Sequence, residues 1–225
     1  MSGTYDSESL RNWSVCRETL QQGFGLWRLS PSEHQWRQIE TFFLELSVWN
    51  NVINLTTIQE PTEFAIKHIL DSIAPLLYKD TYPLREVLDL GTGGGFPGIP
   101  LKIMEPDISL TLVEKSHKKS AFLHSTVGKL GLRSVRVVTQ RIENLWERRE
   151  FSHTFDTILI RALAPLPRSI TLGLPFVAPA GKVILYTSKP DVNQEILPPG
   201  TSLAILPVHL PAVPIDRNLL ILTCP

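Results

Sequence analysis

The spacing of apolar residues changes near residue 80 of this chain. Upstream of that point, apolar side chains recur every three or four residues, as on one face of an amphipathic helix. The stretches with this repeat are residues 36–49, residues 61–77 and, more weakly, residues 8–22. Ser30 and Pro31 precede the strongest repeat and predict its N-cap and its first helical position. We therefore expect residues 1–80 to form a helical extension packed on a core.

Downstream of residue 83, short apolar runs alternate with stretches of helical spacing. Near-continuous apolar strands separated by helices are typical of a parallel sheet covered on both faces. The last two apolar runs predict an antiparallel pair. The predicted strands are residues 85–90, 109–114, 135–139, 155–161, 181–187, 201–208 and 218–223. Residues 81–225 are thus expected to form one α/β core with a seven-stranded, doubly wound sheet whose last strand is antiparallel.

A glycine-rich segment, VLDLGTGGGFPGIPL, follows the first predicted strand. In a doubly wound sheet, a ligand binds beyond the carboxyl ends of the strands, where the first strand meets the first helix. Gly91 can adopt a backbone conformation that larger residues resist, and Gly93 and Gly95 remove Cβ atoms so that a ligand can approach the main chain. The segment therefore predicts a cofactor site.

Two cofactors compete for this loop. Counted from Gly93, the glycines satisfy the GxGxxG fingerprint of dinucleotide-binding proteins, but Gly98 then follows a proline inside the helix. Counted from Asp89, the segment reads D-x-G-x-G-x-G, which resembles the S-adenosylmethionine motif of class I methyltransferases. Asp89 can accept a hydrogen bond from the ammonium group of that cofactor, directly or through water. Glu114 ends the second strand and can accept from both ribose hydroxyls, which supports a nucleoside without separating the two cofactors.

Composition limits the partners of the protein. The chain has 22 Lys and Arg residues and 22 Asp and Glu residues, so its formal net charge is zero and any nucleic-acid site must be a local patch. Cys16 and Cys224 lie far apart without C-x-x-C spacing, which argues against a disulfide framework and against a zinc site. A polar start and the lack of a membrane-length apolar run favour a cytoplasmic protein, with neither metal nor membrane as a partner.

Six segments together carry a closer resemblance. The segments NLTTI, KHILDS, DLGTGGGFPGIPL, LVEKSHKKSAFL, RIENL and RALAPL occur in this order in the RsmG (GidB) family, over roughly residues 30 to 190. The resemblance implies a class I, Rossmann-like methyltransferase fold preceded by helices. It implies S-adenosyl-L-methionine as cofactor and N7 of one guanine in 16S ribosomal RNA as methyl acceptor. The substrate is then either free RNA or the assembled small subunit, and we expect a monomer.

The resemblance also implies roles for single residues in cofactor binding. Gly91 and Phe96 match loop positions that contact the cofactor in the family. Ile142 and Glu143 match the pair after the third strand that holds the adenine. Arg161 closes the fourth strand and matches an arginine at the methyl end of the cofactor.

The chemistry of guanine N7 explains why no general base is evident. This atom has a free in-plane lone pair, so it can attack the methyl group without first losing a proton. The enzyme must then align the reacting atoms, and we expect Arg161 to position the substrate by donating to guanine O6 or to a phosphate. The alternative for Arg161 is a structural ion pair with Asp89 or Glu143.

Basic residues near the predicted cofactor site are candidates for RNA contact. Lys115, Lys118 and Lys119 crowd the start of the helix after the second strand, and Arg141 follows the third strand. Their position at loop ends can create a local basic rim. A lysine run is more often a solvated helix face, and this interpretation stays open beside the first.

Two further RNA-facing positions come from the N-terminal part. His68 and Asp71 stand three residues apart on one helical face. They can form a helix-packing or capping network, or both can border the guanine pocket if this helix closes over the carboxyl edge of the sheet. Asn54 lies in a loop that the family resemblance orients toward RNA or cofactor.

Three functions remain open on the sequence. The first is a ribosomal RNA guanine-N7 methyltransferase. The second is an NAD-dependent oxidoreductase, for which no catalytic dyad is evident. The third is a non-catalytic, cofactor-responsive RNA-binding module, which no disrupted motif supports.

Overall fold

Seven strands form one mixed sheet in the computed structural model. The structure describes residues 5–189, 192, 197–211 and 216–225. The strands are β1 Glu86–Leu90, β2 Ser109–Glu114, β3 Val135–Thr139, β4 Phe155–Arg161, β5 Val177–Thr187, β6 Ser202–His209 and β7 Asp216–Thr223. Their order is β3-β2-β1-β4-β5-β7-β6; β1 to β5 are parallel, and β7 is antiparallel to both neighbours. The predicted seven-stranded sheet with an antiparallel last strand is confirmed.

Helices cover both faces of this sheet. Successive strand residues point to opposite faces, so each strand contributes side chains to both layers of helices. The α-helices are α1 Ser7–Leu26, α2 Glu33–Asn50, α3 Pro61–Phe64, α4 Asp71–Ile73, α5 Gly98–Met104, α6 His117–Lys129 and α7 Leu166–Gly173. In β4, Leu159 joins the apolar cluster that contains α2 and α5, whereas Ile158 and Ile160 join the cluster that contains α7. The central strands β1 and β4 are therefore buried on both faces, as their continuous apolar sequences predict, whereas the end strands β3 and β6 are more exposed.

The strand order reverses between β1 and β4. The chain runs from β1 outward to β2 and β3 and then returns to β4 on the other side of β1. At such a switch point, the connections diverge and leave a crevice at the carboxyl ends of the strands. Leu90, the last residue of β1, lies beside Val113 and Ile160, and the glycine-rich loop begins directly after it.

The start of α2 differs from the sequence prediction. The N-cap is Ser32, whose Oγ accepts from the N–H of Gln35 at 3.3 Å, while the Gln35 side chain accepts from the N–H of Ser32 at 2.8 Å. Ser30 and Pro31 therefore lie before the helix. Both serines could cap, because Glu33 and Gln35 follow them three residues later, but the structure forms the reciprocal capping box at Ser32 and Gln35.

Residues 61–78 form one continuous helical segment with a change in hydrogen-bond spacing. Between α3 and α4 lies a π-helical turn, Ala65–Leu70, and a 3₁₀ turn, Ala74–Tyr78, ends the segment. The helix predicted over residues 61–77 is present. Its π turn was not predicted, because an apolar repeat of about 3.6 residues does not distinguish a π turn from an α-helix. Such turns are frequent at functional sites.

The N-terminal helices share a hydrophobic cluster with one face of the sheet. Phe42 and Ile69 belong to the same cluster as Leu110 and Ile184. The division of the chain at residue 80 stays a prediction. Within the described part of the chain, no helix combines the length and apolar character needed to cross a lipid bilayer.

Candidate cofactor and substrate site

A cavity of about 360 Å³ opens at the carboxyl ends of β1, β2 and β3, and we call it the first cavity. Eight residues that the sequence predicts to bind cofactor or RNA line it: Gly91, Gly93, Glu114, Lys115, Lys119, Arg141, Ile142 and Glu143. They come from loops that follow three different strands. Since parallel strands end at one edge of the sheet, the fold brings these loops together.

Asp89 is fully buried at the end of β1 and does not line this cavity. Its Oδ2 accepts from Thr92 Oγ1 at 2.6 Å and from the N–H of Gly98 at 2.8 Å. Its Oδ1 has no hydrogen-bond partner among the described residues. Burial raises the pKa of the Asp89 carboxyl to about 6, despite the two hydrogen bonds that lower it. The orphaned oxygen fits a cationic ligand group or a bridging water.

Glu114 joins the glycine-rich loop to the start of α6. Its Oε2 accepts from the N–H of Gly93 at 3.0 Å, and its Oε1 accepts from the N–H of Ser116 at 2.7 Å. Each carboxylate oxygen can accept a further hydrogen bond. Glu114 can therefore hold a ligand's hydroxyl groups while it fixes the loop.

Two of the loop glycines serve different purposes. A Cβ added at Gly93 would meet no atom closer than 3.9 Å, so its φ of +58° is what requires glycine. A Cβ at Gly95 would lie 2.5 Å from Cδ1 of Ile99 and 3.3 Å from Leu123. The missing Cβ of Gly95 therefore makes room for core side chains, and the approach of a ligand to its backbone stays a prediction.

A second cavity, of about 420 Å³, adjoins the first through the segment after β4. Arg161 and Ala162 line the second cavity, and Leu163 and Ala164 line the first. The other residues around the second cavity are Ile58, Lys67, His68, Tyr186, Thr187, Ser188, Leu210 and Arg217. The predicted residues Arg161 and His68 thus belong to this neighbouring cavity.

The guanidinium of Arg161 is held by the helical segment 61–78. Its Nη1 donates to the carbonyl of Lys67 at 2.9 Å and to Oδ2 of Asp71 at 3.0 Å. Its Nη2 donates to Nδ1 of His68 at 3.0 Å. The side chain of Arg161 is only 13% exposed, so it anchors this segment to the end of β4.

The partner of Arg161 differs from the one that the sequence suggests. Arg161 pairs with Asp71, whereas Glu143 pairs at the surface with Arg168 at 2.9 Å. Asp89 is closed off by its own loop. The residues Arg161 and Asp71 stand 90 positions apart, and only the packing of the N-terminal segment brings them together.

His68 is neutral and has a defined tautomer. Because a guanidinium can only donate, Nδ1 of His68 accepts from Arg161, and the proton of the ring is on Nε2. Nε2–H donates to Oγ1 of Thr56 at 2.6 Å. Burial, together with the charges of Arg161 and Lys67, lowers the pKa of His68 to about 3.

Phe96 contacts this network and does not line the first cavity. Its ring stacks on His68 with centroids 4.2 Å apart, and the Arg161 guanidinium lies 5.3 Å from its centroid. Phe96 therefore joins the glycine-rich loop to the second cavity. Its contact with a cofactor stays a prediction.

Two predicted RNA-contacting residues lie outside both cavities. Lys118 is exposed in the first turn of α6, and Asn54 is exposed in the loop before α3. They can reach a ligand larger than either cavity. No described cluster of three or more His, Cys, Asp or Glu side chains could hold a metal ion.

Sequence reasoning missed Arg217 of β7. Its Nη2 donates to Oδ2 of Asp71 at 3.1 Å, and its Nε lies 2.6 Å from Oδ1 of the same carboxylate. Arg217 stands 146 positions from Asp71, in the part of the chain where the family motifs are weakest. A lone arginine before an apolar strand carries no local signal that would have identified it.

Comparison with known sequences gives one consistent family. A GidB family profile, described as rRNA small subunit methyltransferase G, matches residues 35–209. The protein named ribosomal RNA small subunit methyltransferase G from Desulforamulus reducens is 35% identical, over 84% of this chain and 78% of its own length. Its namesake from Polynucleobacter asymbioticus is 37% identical over 82% and 85%, and that from Dehalococcoides mccartyi is 35% identical over 90% and 89%.

Solved methyltransferase structures share the fold. The O-methyltransferase from Bacillus cereus, solved in complex with SAH, has a TM-score of 0.58 and 18% identity, over 82% of this chain and 90% of that one. The O-methyltransferase TomG from Streptomyces achromogenes, solved with SAM, has a TM-score of 0.58 and 17% identity, over 87% and 92%. The sheet order, the glycine-rich loop at the switch point and the match over most of the chain agree: this chain belongs to the GidB family, rRNA small subunit methyltransferase G.

Proposed function

We propose that this protein transfers a methyl group from S-adenosyl-L-methionine to N7 of a guanine in 16S ribosomal RNA of the small subunit. Membership of the GidB family supports the reaction class and the RNA substrate. The observation that carries the proposal is the pair of adjoining cavities that meet at residues 161–164. Transfer between two ligands requires that both be held in contact, and adjoining cavities provide this arrangement. The substrate would place the protein in the cytoplasm, where it would act as a monomer.

The residues around the first cavity fit the cofactor. Asp89 does not line this cavity, so its orphaned Oδ1 would reach the ammonium of the amino acid moiety through a water, and Glu114 suits the two ribose hydroxyls. Ile142 is buried and Glu143 is exposed at the same cavity, which suits the apolar face and the polar edge of adenine. When bound, this cofactor supplies an electrophilic methyl group on a sulfonium centre.

The second cavity suits an acceptor atom that needs no deprotonation. No Asp or Glu is among the described residues that line it, and both ring nitrogens of His68 are engaged. The hydroxyl of Tyr186 donates to the carbonyl of Ser72 at 2.9 Å, and burial raises the pKa of Tyr186 well above its usual value. Guanine N7 has a free lone pair and therefore requires no general base. Arg161 then positions the substrate by donating to O6 or to a phosphate.

The NAD-dependent oxidoreductase is not favoured. The chain belongs to a family of methyltransferases. Gly98, the last glycine of the GxGxxG pattern, is required by packing around the glycine-rich loop. A Cβ at Gly98 would lie 2.8 Å from Oδ2 of Asp89 and 2.6 Å from Leu112. That glycine is therefore explained without a bound pyrophosphate.

Methylation of 16S ribosomal RNA from cells that lack the gene tests the proposal. Purified protein and isotope-labelled cofactor are incubated with free RNA and with assembled small subunits, and the digested RNA is examined by mass spectrometry. We expect label in 7-methylguanosine. Label on another atom would contradict the N7 assignment, and binding of cofactor and RNA without transfer would indicate the non-catalytic module. A protein that ignores this cofactor and binds a nicotinamide dinucleotide would overturn the proposal.

A further inference from the structure

We propose that Arg217 and Arg161 together bind a phosphate of the RNA backbone in the second cavity. This inference rests on the proposed function, because it takes RNA as the ligand. It adds to that function a phosphate site and a positioning residue in β7, a strand with no expected role in substrate binding.

The arginine pair carries more positive charge than its partner neutralises. Asp71, the carboxylate that both arginines share, is fully buried. Arg161 and Arg217 donate to its Oδ2 at 3.0 Å and 3.1 Å, and Nε of Arg217 lies 2.6 Å from its Oδ1. Two guanidinium groups and one carboxylate leave a net charge of one positive among these side chains.

The other described residues that line the cavity do not offset this charge. His68 is neutral, and Tyr186, Thr187 and Ser188 offer only hydroxyl groups. Lys67 adds a second cation, which pairs with Glu63, a residue that does not line the cavity. Burial removes part of the hydration of a positive charge that has no partner. An anionic ligand is favoured at such a site because it compensates for this lost hydration.

Both arginines keep donors for such a ligand. The described hydrogen bonds of Arg161 use three of its five N–H donors, and those of Arg217 leave its Nη1 group for other partners. Their side chains are 13% and 21% exposed, so the guanidinium groups are ordered yet accessible. Fixed, planar donors of this kind match phosphate oxygens. A guanine that enters beside the first cavity brings its own phosphates toward this pair.

The test compares Arg217→Gln with a matched control, Arg136→Gln. Arg136 and Arg148 also share one carboxylate, Glu150, at 3.0 Å and 2.6 Å, but these residues are exposed and line neither cavity. Binding of small-subunit RNA is measured over a series of salt concentrations, together with methylation kinetics and cofactor affinity. We expect Arg217→Gln to raise the KM for RNA roughly tenfold and to reduce the slope of log affinity against log salt by about one.

In the same experiment, cofactor affinity should not change, Arg217→Lys should keep the salt slope, and Arg136→Gln should resemble the wild type. Weaker RNA binding with an unchanged salt slope would mean that Arg217 contacts a base, and it would overturn the phosphate site. Equal losses of cofactor affinity and thermal stability would assign Arg217 a structural role and also overturn it.

Thermal unfolding with inorganic phosphate, at constant ionic strength, distinguishes an RNA phosphate from free phosphate as the ligand of this site. If inorganic phosphate stabilises the wild type but not Arg217→Gln, while the RNA salt slope is unchanged, the site is one for free phosphate and the RNA assignment fails. A wild type that binds RNA with an Arg217-dependent slope but transfers no methyl group would support the phosphate site and contradict the proposed methyltransferase function.

Discussion

At the scale of the residue, two buried titratable groups lie next to the glycine-rich loop: Asp89 precedes it, and His68 stacks on its Phe96. Asp89 has its pKa raised from 3.8 to about 6 by burial, and His68 has its pKa lowered from 6.5 to about 3 by burial and neighbouring cations. The stabilising effect of Asp89 is complete below pH 3.8 and is lost as the pH rises through about 6. That of His68 is complete above pH 6.5 and is lost as the pH falls toward about 3. The two groups therefore act in opposite directions between these limits.

Cofactor binding should release a proton from Asp89. An ammonium group near the orphaned Oδ1 would favour the ionised carboxylate and lower the pKa of Asp89 from about 6. Calorimetry at pH 5 to 6, in buffers with different ionisation enthalpies, should show a release of up to about one proton. Asp89→Asn should abolish the buffer dependence and weaken binding roughly tenfold or more. A buffer-independent enthalpy in the wild type would contradict this role for Asp89.

Acid should destabilise the protein through His68. Because the unfolded state binds this proton at a higher pH than the folded state, the free energy of unfolding should fall by up to about 1.4 kcal/mol per pH unit below pH 6.5 from this group. In His68→Gln, the amide can accept from Arg161 and donate to Thr56 without titrating. Denaturant unfolding from pH 7.5 to 5 should thus give a shallower loss in the variant. Identical pH profiles would show that folding does not shift the pKa of His68.

At the scale of the element, the helices were predicted better than their ends and their internal spacing. The apolar repeats predict helices over residues 36–49 and 61–77, and both are present. The exact cap of α2 depends on the side chain of Gln35, which also donates to the carbonyl of Ile103 at 3.0 Å. That contact with α5 requires the folded protein, so the sequence leaves two serines equivalent.

Substitution of the two serines separates the possible caps of α2. Ser32→Ala should lower the free energy of unfolding by about 1 kcal/mol because it removes the acceptor for the N–H of Gln35. Ser30→Ala, two residues earlier, should change it by less than about 0.5 kcal/mol. Denaturant unfolding of both variants measures this difference. A larger loss at Ser30 would restore the first prediction.

Both arginines that contact the segment 61–78 pair with one carboxylate, that of Asp71. Asp71→Ala should destabilise the protein by about 3 to 5 kcal/mol, because it leaves two partly buried arginines without their shared partner. Glu150→Ala removes an exposed carboxylate from Arg136 and Arg148 and should cost less than about 1 kcal/mol. Unfolding midpoints of the two variants provide the measurement. Equal losses would mean that burial does not strengthen the Asp71 pairs.

At the scale of the whole molecule, the positions of the basic residues matter more than the net charge. The formal net charge is zero, yet basic residues gather at the carboxyl edge of the sheet, where both cavities open. Such a local field can attract RNA to one face without making the entire protein a polycation. The helical extension over residues 1–80, still a prediction as a separate unit, supplies Lys67 and His68 to this edge.

Removal of one rim lysine should weaken RNA binding without affecting the cofactor. Lys118→Gln should lower RNA affinity roughly two- to fivefold and reduce its salt dependence, because Lys118 is exposed beside the first cavity. Lys79 precedes β1 and pairs at 3.1 Å with Glu105, which follows α5 and precedes β2, so this pair lies at the opposite edge and Lys79→Gln serves as control. Equal effects of both substitutions on RNA binding would show that only the total charge matters.

Local sequence patterns were enough to predict the sheet, the glycine-rich loop and eight of the residues that line the first cavity. Apolar runs define the strands, and the carboxyl ends of parallel strands meet at one edge, so Gly93, Glu114 and Ile142 come together by topology. Tertiary structure alone decided the second cavity. Asp71 lies 90 and 146 positions from Arg161 and Arg217, and no local repeat encodes which distant side chains a packed helical segment will meet. Burial then set the charge state of His68, which the sequence leaves open.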